Sequence, residues 1–91
     1  MARGSHQPLA GQTVVITGAG SGIGRALAER LSDHGCAVAA ADANAEALEQ
    51  TATSLNGPHL AQELDVRDRQ GQLAFAARVR EWAAGGDRSR V

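Results

Sequence analysis

The sequence contains no tyrosine and no lysine, since all nine of its basic residues are arginines. It has one cysteine, Cys36, and its aromatic residues are one phenylalanine and one tryptophan. A reaction that needs a tyrosine hydroxyl or a lysine amine therefore cannot run on this chain's own side chains. A single cysteine excludes an internal disulfide and favours a reducing, cytoplasmic setting. We expect Cys36 to be a small apolar residue at the start of a strand.

Charge and hydropathy exclude further classes. The 91 residues carry a formal net charge of -1, which argues against nucleic acid or an anionic membrane surface as the main partner. No apolar run approaches the roughly 20 residues that span a bilayer, and no secretory signal is recognisable. The histidines lack metal-ligand spacing, so no metal site is expected. The length suits one domain over residues 1–91, with disorder expected at about 1–8 and 87–91.

Strand-like and helix-like segments alternate along the chain. Three apolar or β-branched runs predict strands, the third nearer a sheet edge: Thr13–Thr17, Cys36–Asp42 and His59–Asp65. Three periodic segments predict helices: Gly22 to about His34, Ala45 to about Leu55, and Arg67 to about Ala84. The order predicts a parallel sheet with right-handed crossovers. We expect the strand order 3-2-1, helices on both faces, and the first and second helices on opposite faces.

Particular residues predict the helix faces and ends. Ile23, Leu27 and Leu31 recur at the spacing of one buried stripe on the first helix, and Gly35 suits its C-terminal end. Asn44 is a candidate cap for the second helix.

The third helix has two candidate starting residues, Asp65 and Asp68. Its predicted buried face carries Phe75, Val79 and Trp82.

Four glycines fall within seven positions, where the first strand meets the first helix: Gly18, Gly20, Gly22 and Gly24. Neither the G-x-x-x-x-G-K-[ST] phosphate loop nor the G-x-G-x-x-G fingerprint fits this spacing, because Ile23 stands where the latter needs glycine. The pattern present is T-G-x-x-x-G-x-G, starting at Thr17. Such a turn directs unpaired N–H groups and the positive helix end at one spot, which suits a pyrophosphate. The alternative is a tight turn without a ligand.

A carboxylate follows at the end of the second strand. Asp42 lies 18 residues after Gly24, near the spacing of the acid that binds an adenosine ribose. It favours a 2′-hydroxyl and repels a 2′-phosphate, and neither the loop nor Ala43 or Asn44 supplies a basic residue. Asp42 therefore favours NAD over NADP, although it could also be a simple strand-end cap.

From about Leu9 to Gly86 the chain resembles the N-terminal part of the classical short-chain dehydrogenase/reductase family. The resemblance rests on "TGAGSGIGRALAERL", the strand-end Asp42, and "LDV" at Leu64–Val66. It implies a partial Rossmann fold and a nicotinamide cofactor, with hydride transfer between NAD and an alcohol or carbonyl substrate in the intact family. The substrate itself is not indicated.

The resemblance also implies roles for individual residues. The pyrophosphate and nicotinamide-ribose side would be lined by Gly18, Ser21, Gly22, Ile23 and Gly24. Asp42 would hold the adenosine ribose. Asp65 would bond the adenine amino group, with Val66 beside the ring.

The family's catalytic serine and Tyr-x-x-x-Lys segment have no counterpart here. Three hypotheses follow: an inactive fragment of an NAD-dependent oxidoreductase, a freestanding weak NAD-binding or regulatory module, and an interaction fragment that pairs with a fuller homologue. For the fragment, we expect truncation or a frame change near Gly86. The first-strand edge would then lack a partner strand and favour self-association.

Overall fold

The computed structural model describes residues 10–85, which form a three-stranded sheet and three helices. The elements alternate in the predicted order: β1 (Thr13–Thr17), α1 (Gly22–Asp33), β2 (Ala37–Asp42), α2 (Ala45–Thr53), β3 (His59–Glu63) and α3 (Arg69–Ala84). The end segments with predicted disorder, 1–8 and 87–91, and the frame change expected near Gly86 lie outside the described residues. The α/β class predicted from the alternation is confirmed.

The sheet is parallel, with β2 in the middle and the order β1-β2-β3, as predicted. Thr17 pairs with Ala41, so β2 continues one residue beyond the end of β1, to Asp42. Residues Ala37 to Ala41 of β2 are all buried. Because four of these five are alanines, helices can pack closely on both faces of the central strand.

The two faces of the sheet carry different helices. On one face, Val38 and Ala40 of β2 belong to a cluster with Ala28 of α1 and Leu48 of α2. On the other face, a second cluster joins β2 and the residue after β3 to α3: Ala39, Ala41, Leu64, Phe75 and Val79.

The prediction that α1 and α2 lie on opposite faces was therefore wrong. Both connections step in the same direction across the sheet, from β1 to β2 and from β2 to β3. Two right-handed crossovers that step in the same direction place their helices on the same face. The expectation of helices on both faces is met by α3.

The predicted stripe on α1 was wrong in its first two residues. Ile23 is 86% exposed and Leu27 is 44% exposed, whereas Ala28 and Ser32 are buried and Leu31 is partly buried. The buried face is turned by about one residue, because small side chains bring α1 close to the sheet and leave the larger ones outside.

The predicted helix ends lie within two residues of the observed ones, and α3 is capped by the second of its two candidates. Asn44 caps α2 by accepting a hydrogen bond from the Ala47 N–H at 3.0 Å. Asp68, not Asp65, caps α3 by accepting from the Gly71 N–H at 3.0 Å. Gly35 has a φ of +92°, the left-handed conformation common after a helix.

On α3, Phe75 and Val79 are buried and Trp82 is partly buried, as predicted. Cys36 is buried directly before β2, and burial raises the pKa of its thiol. In the described part of the chain, no helix has the length and hydropathy needed to cross a bilayer. Across the same residues, no group of three histidine, cysteine or acidic side chains could hold a metal ion.

Candidate functional site

The glycine-rich turn between β1 and α1 has an unusual backbone. Gly18 has a φ of +70° and Gly22 a φ of +62°, in the left-handed region that glycine adopts without strain. A Cβ atom placed on either residue would have no protein atom within 4 Å. The backbone of the turn is therefore open on its outer side at these two positions.

Gly24 is required for a different reason. A Cβ atom at this position would lie 2.0 Å from the carbonyl oxygen of Gly18, so no side chain fits while the turn keeps its shape. The first turn of α1 is thus packed directly onto the backbone that follows β1. Gly24 shapes the turn from inside, whereas Gly18 and Gly22 border the open side.

Among the described residues, no side chain caps the backbone N–H groups at the N-terminus of α1. Ser21 is the N-cap residue, yet its side chain makes no capping hydrogen bond, in contrast to Asn44 and Asp68 at the other two helices. Ser21, Gly22 and Ile23 are all exposed. The first N–H groups of a helix attract anions, so this end is suited to a phosphate group.

Asp42 lies beside the same turn. Its Oδ2 accepts a hydrogen bond from the Gly20 N–H at 2.8 Å, and its Oδ1 accepts from the Asn44 N–H at 2.8 Å. These two bonds fix the carboxylate at the carboxyl end of β2. Since each carboxylate oxygen can accept more than one hydrogen bond, a ribose hydroxyl can still donate to it.

Asp65 and Val66 follow β3, at the same edge of the parallel sheet. Asp65 accepts from the Nε, Nη2 and backbone N–H of Arg67 at 3.1, 2.8 and 2.9 Å. The side-chain hydrogen bonds from Arg67, helped by its backbone N–H, lower the pKa of Asp65 to about 2. Asp65 is thus an anion with an exposed cation beside it, and Arg67 covers part of its acceptor capacity.

Two clefts border this edge of the sheet. One, of about 340 Å³, is lined by acidic and small residues that include Ala43, Glu63 and Asp65. The other, of about 540 Å³, is mainly apolar and lies between β1 and α3, where Val15, Val66 and Phe75 line it. The structure therefore places Asp65 and Val66 in different clefts, although they are neighbours in the sequence.

The predicted site residues fall into two groups. The hydrogen bond between Asp42 and Gly20 brings the turn and the carboxylate together. Asp65 and Val66 form the second group, which follows the C-terminal end of β3. Sequence reasoning placed Gly20 in the turn but missed its bond to the carboxylate.

Sequence reasoning also missed Thr51, whose hydroxyl donates to the Ala19 carbonyl oxygen at 2.9 Å. One sequence feature could have indicated it. Thr51 lies at helical spacing from Leu48 and Leu55, so it is a polar residue on an apolar face.

A parallel β-α-β unit with a glycine-rich turn at the N-terminus of its first helix, and an acid at the end of its second strand, defines a Rossmann-type nucleotide fold. Residues 12–85 match the short chain dehydrogenase family. The chain belongs to that family.

Individual proteins with similar sequences are also dehydrogenases. The chain is 45% identical over 74 residues to 2,5-dichloro-2,5-cyclohexadiene-1,4-diol dehydrogenase of Sphingobium indicum, covering 75% of this chain and 30% of that protein. It is 39% identical over 80 residues to the NADP-dependent dehydrogenase clz5 of Cochliobolus lunatus, and this match covers 87% of this chain and 28% of that protein. The chain thus spans less than a third of the length of either relative.

A solved structure also matches most of this chain. The short chain dehydrogenase/reductase of Burkholderia phymatum, determined in complex with NAD, matches with a TM-score of 0.80 and 33% sequence identity. The match covers 84% of this chain and 28% of that one. The described residues therefore share the fold of part of that protein.

Proposed function

We propose that this chain is the dinucleotide-binding portion of a short chain oxidoreductase, with NAD as its preferred cofactor. One observation carries the proposal: the hydrogen bond from the Gly20 N–H to Asp42 places an uncapped helix N-terminus and a strand-end carboxylate side by side. One suits a pyrophosphate and the other a ribose diol. The Burkholderia phymatum protein of the same fold is in complex with NAD.

The residues present fit such a cofactor. The open outer side at Gly18 and Gly22 leaves room for phosphate groups near the N–H groups of the turn. Gly24 keeps the helix packed against the turn, and Ser21 and Ile23 are exposed on the same side. We assign the adenine side to Asp65 and Val66, which follow the neighbouring strand. When bound, NAD would supply the hydride-accepting nicotinamide.

The preference for NAD over NADP rests on charge. The Asp42 carboxylate would lie near the adenosine 2′ position, where it can accept from a hydroxyl and repels a phosphate. Arg25, which directly follows the glycine-rich turn, instead pairs with Glu29 of its own helix at 3.0 Å. Cofactor choice varies among similar proteins, because the Cochliobolus lunatus relative is described as NADP-dependent, and titration of this chain with both cofactors measures its preference.

We further propose that the isolated chain does not catalyse hydride transfer. With no tyrosine and no lysine, it cannot supply the proton-transfer pair of the intact family. An alcohol or carbonyl compound is the substrate class that we propose for an intact protein of the family, not for the isolated chain. The setting that we propose for a chain with one buried cysteine is cytoplasmic.

The test is a titration of the 91-residue chain with NAD, followed by amide chemical shifts. We expect weak, saturable binding that shifts the amides of Gly20 and Asn44. Gly22→Val should abolish it, because a branched side chain cannot adopt a φ of +62° without strain and would project into the open side. Gly85→Val, at an extended position, is the control. Absence of binding by the wild-type chain at about millimolar NAD would contradict the proposal.

A second candidate role, self-association, is favoured by the exposed edge of β1. Within residues 10–85, β1 pairs on one side with β2 and has no strand on the other. The strand carries no charge and no proline, and Val15 is 53% exposed beside the apolar cleft. Edges of this kind pair with other chains. We propose a second copy of this chain as the partner.

A further inference from the structure

We propose that Thr51, which lies on α2 outside the cofactor-binding pattern, is a positioning residue for the glycine-rich turn. The inference rests on the proposed function, because it concerns how the turn is held in shape for the dinucleotide. Thr51 is fully buried, and its hydroxyl donates to the Ala19 carbonyl oxygen at 2.9 Å across 32 residues of sequence.

The bond from Thr51 acts on one peptide group of the turn. The carbonyl oxygen of Ala19 and the N–H of Gly20 belong to the same planar unit. Thr51 holds the oxygen end of that unit, and the Asp42 carboxylate holds the N–H end at 2.8 Å. The preceding N–H, of Ala19, donates to the Ala41 carbonyl oxygen at 3.0 Å. The peptide between Gly18 and Gly22 is therefore fixed at both ends by groups from other elements.

The choice of partner distinguishes Thr51 from an ordinary helical threonine. A threonine in a helix commonly donates to a carbonyl oxygen three or four residues earlier in its own helix. Thr53, two residues along α2, does so by donating to the Gln50 carbonyl oxygen at 2.9 Å. Thr51 instead donates to the turn, where the buried Ala19 carbonyl oxygen needs a partner. The two threonines thus form a natural pair for comparison.

Loss of the Thr51 hydroxyl should release that peptide. Without a partner for its oxygen, the Ala19–Gly20 unit can rotate, and the Gly20 N–H then no longer holds the Asp42 carboxylate in one orientation. We expect Thr51→Val to raise the dissociation constant for NAD about three- to tenfold, the range that a single net hydrogen bond supplies. Thr51→Ser keeps the hydroxyl and should restore most of the affinity.

The first readout is amide hydrogen exchange without cofactor. In the wild-type chain, the Gly20 amide should be protected to within about tenfold of the buried Val38 amide. Thr51→Val should speed exchange at Gly20 and leave Val38 much less affected, whereas Thr53→Val should change neither. Fast exchange at Gly20 in the wild-type chain, or an unchanged rate in a folded Thr51→Val chain, would overturn the inference. If Thr51→Val does not fold, the wild-type rate and Thr51→Ser decide it.

The second readout is NAD affinity beside a variant that is destabilised elsewhere. Leu55→Ala opens a cavity after the C-terminal end of α2, at a buried residue that lines neither cleft, and should lower the unfolding midpoint with little change in NAD affinity. If Thr51→Val lowers stability in the same way and leaves affinity unchanged, its role is structural and the inference fails. If the wild-type chain binds no NAD, the proposed function fails, and amide exchange still decides the role of Thr51.

Discussion

The carboxylate of Asp42 and the backbone N–H of Gly20 are joined by a 2.8 Å hydrogen bond although 22 residues separate them. The bond ties the end of the central strand to the turn that precedes α1. It therefore holds the two parts of the candidate site in a fixed position relative to each other. Preorganisation of this kind reduces the entropy lost on binding.

Replacement of Asp42 tests cofactor choice. We expect the wild-type chain to bind NAD more tightly than NADP, and Asp42→Ala to lower NAD affinity by about tenfold while removing most of that preference. The alanine removes the repulsion of a 2′-phosphate and also the bonds to Gly20 and Asn44. Calorimetric titration with both cofactors measures the ratio. Glu63→Ala, the register partner on β3, makes the same charge change and should leave the ratio as it is. An equal preference in the wild-type and Asp42→Ala chains would remove Asp42 from this role.

Gly24→Ala tests the packing of α1 onto the turn. The added Cβ would lie 2.0 Å from the Gly18 carbonyl oxygen, so the helix must move outward or the turn must change. We expect the free energy of unfolding to fall by about 2–3 kcal/mol, in the range of overpacked core substitutions. Urea denaturation followed by Trp82 fluorescence measures it. Gly85→Ala, where an added Cβ makes ordinary contacts, is the matched control. A loss as small as that of the control would show that the turn yields easily.

The ion pair of Asp65 and Arg67 predicts a pH dependence. The folded-state pKa of Asp65, about 2, lies below its ordinary value of 3.8. The charged form therefore stabilises the fold fully above the ordinary value, and this contribution disappears as the pH falls through about 2. We expect the urea midpoint of the wild-type chain to exceed that of Asp65→Asn near neutral pH, with the gap closing on acidification.

Arg67→Gln should reproduce the pH behaviour of Asp65→Asn, because it removes the same pair. A direct carboxyl titration by NMR provides the pKa itself. If the difference between the wild-type chain and Asp65→Asn stays constant down to about pH 2, the pair does not stabilise the fold.

Val15→Lys tests association through β1. A lysine on an edge strand hinders pairing with another strand, so we expect this variant to remain monomeric at concentrations where the wild-type chain associates. Sedimentation over a range of concentrations compares the two. Leu73→Lys places the same charge on α3 at a residue that is 64% exposed, and should leave association unchanged. A concentration-independent monomer for the wild-type chain would dismiss the proposed edge contact.

Local sequence patterns were sufficient to predict the bounds of each helix and strand to within two residues. The caps at Asn44 and Asp68 depend on side chains that bond to N–H groups three residues later, so the sequence carries that information directly. The buried face of α1 could not be predicted in the same way. Its orientation depends on the close approach allowed by Ala28, and apolar residues at Ile23 and Leu27 suggested a different face.

The candidate site likewise has a part that is predictable from local sequence and a part that depends on contacts between distant residues. Gly18, Gly22 and Asp42 were recognisable, because their spacing along the chain reflects a known supersecondary unit. The bonding partners of Thr51 and Gly20 were not, because these bonds join residues 32 and 22 positions apart in the sequence. The prediction for the face of α2 was also wrong, because two successive right-handed crossovers in one direction place both helices on the same face.

Asp42 is the one residue of β2 that extends past the end of β1. The length of β2 therefore decides where the carboxylate lies relative to the glycine-rich turn. Val38, Ala40 and Asp42 alternate onto the face that carries α1 and α2, so the carboxylate reaches the turn only because the count from Val38 is even. Adding or removing one residue before Asp42 would send the acid to the α3 face. A change of two would preserve its side but move it by about 7 Å along the strand. The position of Asp42 therefore constrains the length of β2 more strictly than its composition.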